Sequence, residues 1–388
     1  MKEVRFVLVV LAVFSISHFV TDGYINILSP LSPLILNDFQ LSYTQLGLLI
    51  SAFTLAASIL QFVAGYLASR VGKDRLIMGG FIWTSVFIYG AALASSYPQL
   101  LVLLVAAGVG ISFYHPSASS ILSGTFPRRG RGRALSIYLF SGRVGAFSSV
   151  LLANVLASVV DWRLSLYTWA VSGLLVALIF AAVNLGDRVE PERKGSVITL
   201  GWQFSRRLSI VVLVLIYSVY EVLSRGLSTF IPIHLVESFG ASVANAGFSV
   251  GLLMVCGSVG SVLIGFLSHR FDKERVVLLL VLLSVILTFF VAVQGMDLFF
   301  VFTLALLGVS VYSISPLTQA LVSEYTLNSE RTKVFGFLFT VSNGLGAVTP
   351  LLMGVIADAY SLQASFYLLI AVACAGVASM LGLVLMKS

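Results

Sequence analysis

Gly65-Tyr66-Leu67-Ala68-Ser69-Arg70-Val71-Gly72-Lys73-Asp74-Arg75 returns 200 residues later as Gly265-Phe266-Leu267-Ser268-His269-Arg270-Phe271-Asp272-Lys273-Glu274-Arg275. The same offset relates Phe39 to Phe239, Gly47 to Gly247, Gly108 to Gly308, Pro116 to Pro316 and Arg131 to Arg331. An offset that holds from residue 39 to residue 331 describes one unit written twice. When each copy is also apolar enough to sit in lipid, such a duplication points to a transporter built from two related halves.

Hydrophobic residues make up 59% of the 388 and charged residues 10%, against about a quarter charged in soluble domains. A water-facing shell needs more polar residues than these, so the sequence describes a polytopic, all-α membrane protein. Met1–Arg5 carries Lys2 and Arg5, but the apolar run from Phe6 continues to about Leu28. That exceeds a signal-peptide core and reads as a first span that stays in place. Cys256 and Cys374 both fall in apolar runs with no metal or disulfide spacing and read as packing residues.

Apolar runs of about 20 residues, enough to cross a bilayer core, fall near 6–28, 44–68, 76–96, 99–122, 134–157 and 164–184. A second set falls near 208–231, 244–268, 276–293, 298–322, 334–357 and 362–386. The expected architecture is twelve transmembrane helices in two related six-helix bundles, 1–185 and 208–388, joined by a polar linker at 186–207. Twenty of the 23 Lys and Arg residues fall in the termini, the linker and alternate loops, all on one face. The other face has Arg163 with Asp38, Asp161, Glu237, Asp297 and Asp358. Positive charge stays inside, so both termini are expected in the cytoplasm, with the chain in the cell membrane. The net charge of +7 therefore speaks of topology and not of nucleic acid.

The linker carries Pro191, Gly195 and mixed charge, with a short surface helix expected around Trp202. No P-loop and no strand-borne Gly-x-Gly-x-x-Gly is present, so an ion gradient is the expected energy source and no cofactor is expected. No His-Glu-x-x-His or Ser/His/Asp set supports catalysis, and the one Gly-x-Ser-x-Gly match, Gly247 to Gly251, falls inside an apolar run and not between a strand and a helix, which argues against an enzyme.

Six plus six spans, a long central loop and a Gly-x-x-x-x-Arg-x-Gly-Lys-x-Arg element between spans 2 and 3 resemble the major facilitator superfamily across essentially the whole chain. The element comprises Gly65, Arg70, Gly72, Lys73 and Arg75, and the resemblance implies a role for it in conformational change. Ser69 stands where the family usually has an aspartate, which bears on the charge relay assigned to that element. More narrowly, Ser17-His18-Phe19-Val20-Thr21-Asp22 and Phe113-Tyr114-His115-Pro116 look like the fosmidomycin-resistance group of proton-driven exporters.

Spans 3, 6, 9 and 12 have no ionisable residue in their interiors, as expected of helices that face lipid; in the superfamily these spans are peripheral. Spans 1, 4, 5 and 7 carry the ionisable groups, which should face the interior or a wet cavity. His18, Asp22 and Asn26 share one face of span 1 at four-residue spacing; Tyr217, Glu221 and Arg225 repeat the pattern on span 7. Ser112, His115 and Ser119 form a stripe on span 4, mirrored by Tyr312, Ser315 and Gln319 on span 10. Arg143 lies about 15 Å into span 5, near mid-membrane, and its repeat mate is Asn343. These stripes are expected to converge on one central cavity, with Tyr24, Tyr114, Tyr138 and Tyr220 accepting flat or amphipathic solutes.

Asp22, His18 and Glu221 are the candidates for proton coupling. Asn26, His115, Tyr138, Arg143, Tyr217, Arg225, Gln319 and Asn343 are the candidates for substrate contact. Structural alternatives stand beside these roles. Asp22 could serve only as partner of Arg143 or His18, Glu221 and Arg225 could neutralise each other, and His115 could fill carbonyls freed by a mid-helix Pro116. His234 and His269 sit at helix ends and are expected in solvent, while Gly257, Ser261 and Gly265 read as close helix packing. The leading expectation is a monomeric, proton-coupled secondary transporter exporting small amphipathic compounds by alternating access. Uptake of a small organic anion by proton symport, with Arg143 and Arg225 as the clamp, is the alternative.

Overall fold

The computed structural model of the chain describes residues 2–126, 128–183, 207–295, 297–327 and 330–387. Among the described residues there are fifteen α-helices, one 3-10 turn at Ser268–Arg270, and no strand. In lipid a backbone N–H or C=O has no water to bind, so a helix that satisfies its own backbone is the economical way across. The expected linker 186–207 and its helix around Trp202 lie outside the described residues, except Arg207, which opens a helix.

The helices are α1 (Lys2–Asn26), α2 (Leu28–Asp38), α3 (Tyr43–Ile59), α4 (Gln61–Val71), α5 (Lys73–Ala92), α6 (Tyr97–Ile111), α7 (Tyr114–Thr125), α8 (Arg128–Val159) and α9 (Trp162–Val183), then α10 (Arg207–Phe239), α11 (Val243–Leu267), α12 (Lys273–Val293), α13 (Leu298–Tyr325), α14 (Arg331–Ala359) and α15 (Leu362–Lys387). Eleven stretches are long and apolar enough to cross a bilayer, and Tyr43–Ile59 is a shorter apolar helix. Together they account for twelve spans, but four differ from their expected form. Span 1 bends at Ile27 and runs on to Asp38, span 2 breaks at Leu60 and span 4 breaks at Ser112–Phe113. Span 7 runs through Pro232 to Phe239 instead of ending near 231.

Two compact units emerge, one of residues 1–28 with 52–201, the other of 29–51 with 202–388. In the first, α1 packs along α8 and α9, and α5 lies against α6 and α9. A small apolar cluster of Ala64, Ala68 and Leu76, with Leu67 and Phe113, ties the region of α4 to its neighbours. In the second, α10 touches α11, α13, α14 and α15, while α12 packs on α13 and α15.

The duplication is visible in individual contacts. A Cβ on Gly108 would lie 2.7 Å from the Phe53 carbonyl, and one on Gly308 would lie 2.2 Å from that of Leu253. The same glycine thus lets the same pair of helices meet backbone to backbone in both copies. Ser42 and Ser242 each accept from the N–H three residues on, at 3.2 Å, as helix N-caps.

Residues 29–51 belong by sequence to the first bundle yet group with the second unit. Asp358, in the last turn of α14, accepts from the N–H groups of Tyr43 (3.0 Å) and Thr44 (2.8 Å) at the start of α3. Ser51 accepts from Leu351 N–H at 3.1 Å, and Gly47 lies against the Pro350 carbonyl. Asp358 therefore caps a helix end far away in sequence. Asp358→Ala is expected to lower stability by about 1 kcal/mol, with Asp358→Asn less damaging, read as thermal unfolding of the purified protein.

Spans 3, 6, 9 and 12 carry exposed apolar faces: Ile82 and Val86 on α5, Leu174 and Leu178 on α9, Leu279 and Ile286 on α12, Leu381 and Leu385 on α15. Lipid would cover such faces. Two packing expectations need correction. Cys374 is exposed, so it faces outward. Gly265 has nothing near where a Cβ would stand, whereas Gly257 abuts Tyr312 and the Gly308 carbonyl as expected.

Candidate functional site

His18 and Asp22 lie one turn apart on α1, and His18 Nε2 stands 3.4 Å from Asp22 Oδ1. His115 Nε2 approaches the same oxygen at 3.8 Å from α7. The break in span 4 makes this approach possible. α6 ends at Ile111, and the N–H groups of Ser112 and Phe113 bond back to Gly108 and Gly110. α7 then begins at Tyr114, so Pro116 sits in its first turn, where no helical N–H is needed. The mid-helix role considered for His115 is thereby corrected: its ring faces Asp22.

His18 is 5% exposed. Its ring stacks on Tyr138 (centroids 4.1 Å, planes 20° apart) and meets His115 edge-on at 5.4 Å. Its Nδ1 is 2.7 Å from the Tyr138 carbonyl oxygen. A carbonyl only accepts, so Nδ1 carries a hydrogen and Nε2 is the atom turned to Asp22. A neutral imidazole there would aim a lone pair at a carboxylate. A proton, or another cation, between the two would satisfy both groups.

α8 makes room for the pair. A Cβ on Gly142 would lie 2.5 Å from Asp22 Oδ2 and 2.6 Å from His18 Nε2, so the helix presents bare backbone there. Arg143, the next residue, has its side chain exposed. The Asp22 and His115 side chains are 24% and 29% exposed, against 6% for His18, which gives the cluster one accessible side. Asn26 donates from Nδ2 to the Asp22 carbonyl at 2.8 Å and so secures its own helix.

The second unit holds its own polar set. Arg225 Nε lies 3.9 Å from Glu221 Oε2 on α10, and Glu221 is 8% exposed. Ser315 on α13 donates to Tyr217 Oη at 3.5 Å and accepts from Gln319 Nε2 at 3.2 Å. Asn343 is half-buried on α14 beside Ser342, with no side-chain hydrogen bond among the described residues.

Several expected cavity residues are packed instead. Tyr24 is 1% exposed, with its hydroxyl on Ser85 Oγ. Tyr114 is 2% exposed and donates to the Phe14 carbonyl. Ser119 is exposed. His234 is buried, with Nε2 near the Ala292 carbonyl and Nδ1 near Ser238 Oγ, which corrects its expected place in solvent. The side chain of His269 lies outside the described residues. In the 2–3 loop, Arg70 stacks over Tyr66 at 4.6 Å, and Gly72 turns the chain at φ 97°, a backbone open to glycine. Gly65 lies within α4, Lys73 opens α5 and Arg75 is exposed. The Ser69 side chain lies outside what is described. Sequence reasoning missed Gly142 and the Tyr138 carbonyl, although Gly142 and Gly145, three apart on span 5, carried a signal of close approach.

Two related sets of apolar helices with buried ionisable groups define a multi-pass membrane transporter. The family model of the Major Facilitator Superfamily matches residues 14–224 and 213–387, and the chain belongs to that superfamily; it is a transporter and not an enzyme. It is 25% identical over 277 residues to the fosmidomycin resistance protein of Escherichia coli (strain K12), covering 69% of this chain and 67% of that protein. It is 21% identical over 352 residues to the hexuronate transporter of Bacillus subtilis (strain 168), covering 85% and 83%. Among solved structures, a bacterial homolog of the human lysosomal transporter Spinster, inward-facing and occupied, superposes with a TM-score of 0.81 at 18% identity, covering 96% and 95%. That likeness bears on the fold.

Proposed function

We propose that the chain is a proton-coupled secondary transporter that exports small amphipathic organic compounds by alternating access, with His18, Asp22 and His115 as the coupling site. The observation that supports the reading is the buried imidazole whose Nε2 faces a carboxylate across 3.4 Å, an arrangement suited to sharing a proton. Similarity to a protein named for fosmidomycin resistance supports export. Glu221, neutralised by Arg225, is the coupling candidate of the second unit. A thermal-shift screen against cationic dyes and organic anions, followed by drug tolerance of cells expressing the chain, tests the reading. Stabilisation by neither class would overturn it.

A second reading, proton symport of a small organic anion, draws on the exposed Arg143 beside Gly142 and on the similarity to a hexuronate transporter. Arg143→Lys separates the two. Lysine keeps the charge but loses the planar fork, so anion binding should weaken at least about tenfold under the second reading. Under the first, drug tolerance should be nearly unchanged.

The protein works as a monomer in the cell membrane with both termini inside. Reporters after Lys387 and near Gly195 are expected to read cytoplasm, on the bias of basic residues in the loops; an outside signal from either reverses the orientation.

A further inference from the structure

We propose that His18, Asp22 and His115 form a binding site for a divalent transition cation of the zinc type, taken in competition with the proton. One ligand atom from each residue lies within 4.8 Å of the other two. The separations of 3.4 and 3.8 Å from Asp22 Oδ1 to the two Nε2 atoms are close to the ~3.3 Å ligand spacing of a tetrahedron with bonds of 2.0–2.1 Å. Small side-chain rotations close the remainder.

Four further features point to a metal. Two imidazoles and one carboxylate are the donors that zinc, cobalt or nickel take, and not the all-oxygen set preferred by magnesium or calcium. The Nδ1–H of His18 is held by the Tyr138 carbonyl at 2.7 Å, the outer contact that aims the other nitrogen at a metal. The partial exposure of Asp22 and His115 leaves a path in and a fourth position for water or a substrate donor. Gly142 keeps α8 from filling the space.

The site goes beyond the transport reading and needs no transport to be seen. Purified, metal-stripped, untagged full-length protein in detergent at pH 7.5 is titrated with zinc chloride by calorimetry. Cobalt absorption reports coordination, and unfolding is followed with and without zinc. One zinc per chain is expected, with a rise in the unfolding midpoint and no competition from millimolar magnesium. Asp22→Asn and His115→Ala should each weaken binding at least about tenfold, while Cys374→Ser leaves it unchanged. Should His115→Ala fail to fold, the near-isosteric His115→Gln is measured instead. Absence of stoichiometric binding, equal binding of magnesium, or zinc binding that survives both cluster variants overturns the proposal. A protein that binds no zinc yet loses transport in Asp22→Asn refutes the metal site and keeps the proton site.

Discussion

Asp22→Asn is expected to reduce gradient-driven transport to background while the protein stays folded. Asparagine matches the carboxylate in volume, so the fit of α1 against Gly142 survives, and its amide can donate to His18 Nε2. What it cannot do is bear a negative charge or take up a proton, and those are the two properties the cluster offers a coupled cycle. On the proposed export reading, cells expressing the variant should show the drug tolerance of cells lacking the transporter. In proteoliposomes a pH gradient should no longer drive movement of the dye or anion that stabilises the parent in the thermal-shift screen, while the unfolding midpoint stays near that of the parent. Exchange of labelled for unlabelled solute without a gradient should persist, because it needs binding and alternation but no proton. Undiminished gradient-driven movement by the variant would remove Asp22 from coupling. His115→Asn, which leaves the His18–Asp22 contact in place, should have a smaller effect.

The twelve spans and the duplication were legible because hydropathy over about 20 residues and a repeat of 200 are both long-range patterns. What the sequence concealed is local. Leu60, Ser112–Phe113 and Ile27 interrupt helices without Gly or a well-placed Pro to mark two of the three sites. Pro116 drew attention, but it lies inside the first turn of the new helix instead of kinking an old one. Grouping of residues 29–51 with the second unit depends on Asp358 reaching the N–H groups of residues 315 and 314 positions earlier. No pattern within either helix announces that bond.

The site was half legible. Helical spacing put His18 and Asp22 together, and Glu221 with Arg225, because residues four apart share a face. Spacing says nothing of what stands opposite. That His115 faces Asp22 depends on how α1 and α7 meet, while Asn26, on the same face as Asp22, turns back to its own helix. Aromatic residues misled for a related reason: a tyrosine in an apolar span fills a core or lines a cavity with equal ease, and Tyr24 and Tyr114 fill the core.

Gly145→Leu should prevent the first unit from folding. A Cβ at position 145 would lie 2.0 Å from the Phe19 carbonyl oxygen and 2.6 Å from its carbon, and those are backbone atoms that no rotamer change can clear. α1 and α8 would have to move apart along their shared length, with loss of contacts on both sides. Overpacking of ordinary cores costs 1–3 kcal/mol, and a backbone clash between long helices should exceed about 3 kcal/mol. The separation would also withdraw Gly142, one turn away, from His18 and Asp22, so any protein that survived would lose the cluster's geometry as well. The expected result is a sharp fall in membrane-inserted protein and a lowered unfolding midpoint in what remains. Gly344→Ala on α14 is the control, since nothing lies within 4 Å of its Cβ position; it should be neutral or gain up to about 1 kcal/mol from reduced backbone freedom. If Gly145→Leu instead accumulates and melts like the parent, α1 and α8 are not in backbone contact at Phe19. The cluster they build around Asp22 would then lose its geometric basis, because Gly142 and Gly145 hold α8 against the same face of α1.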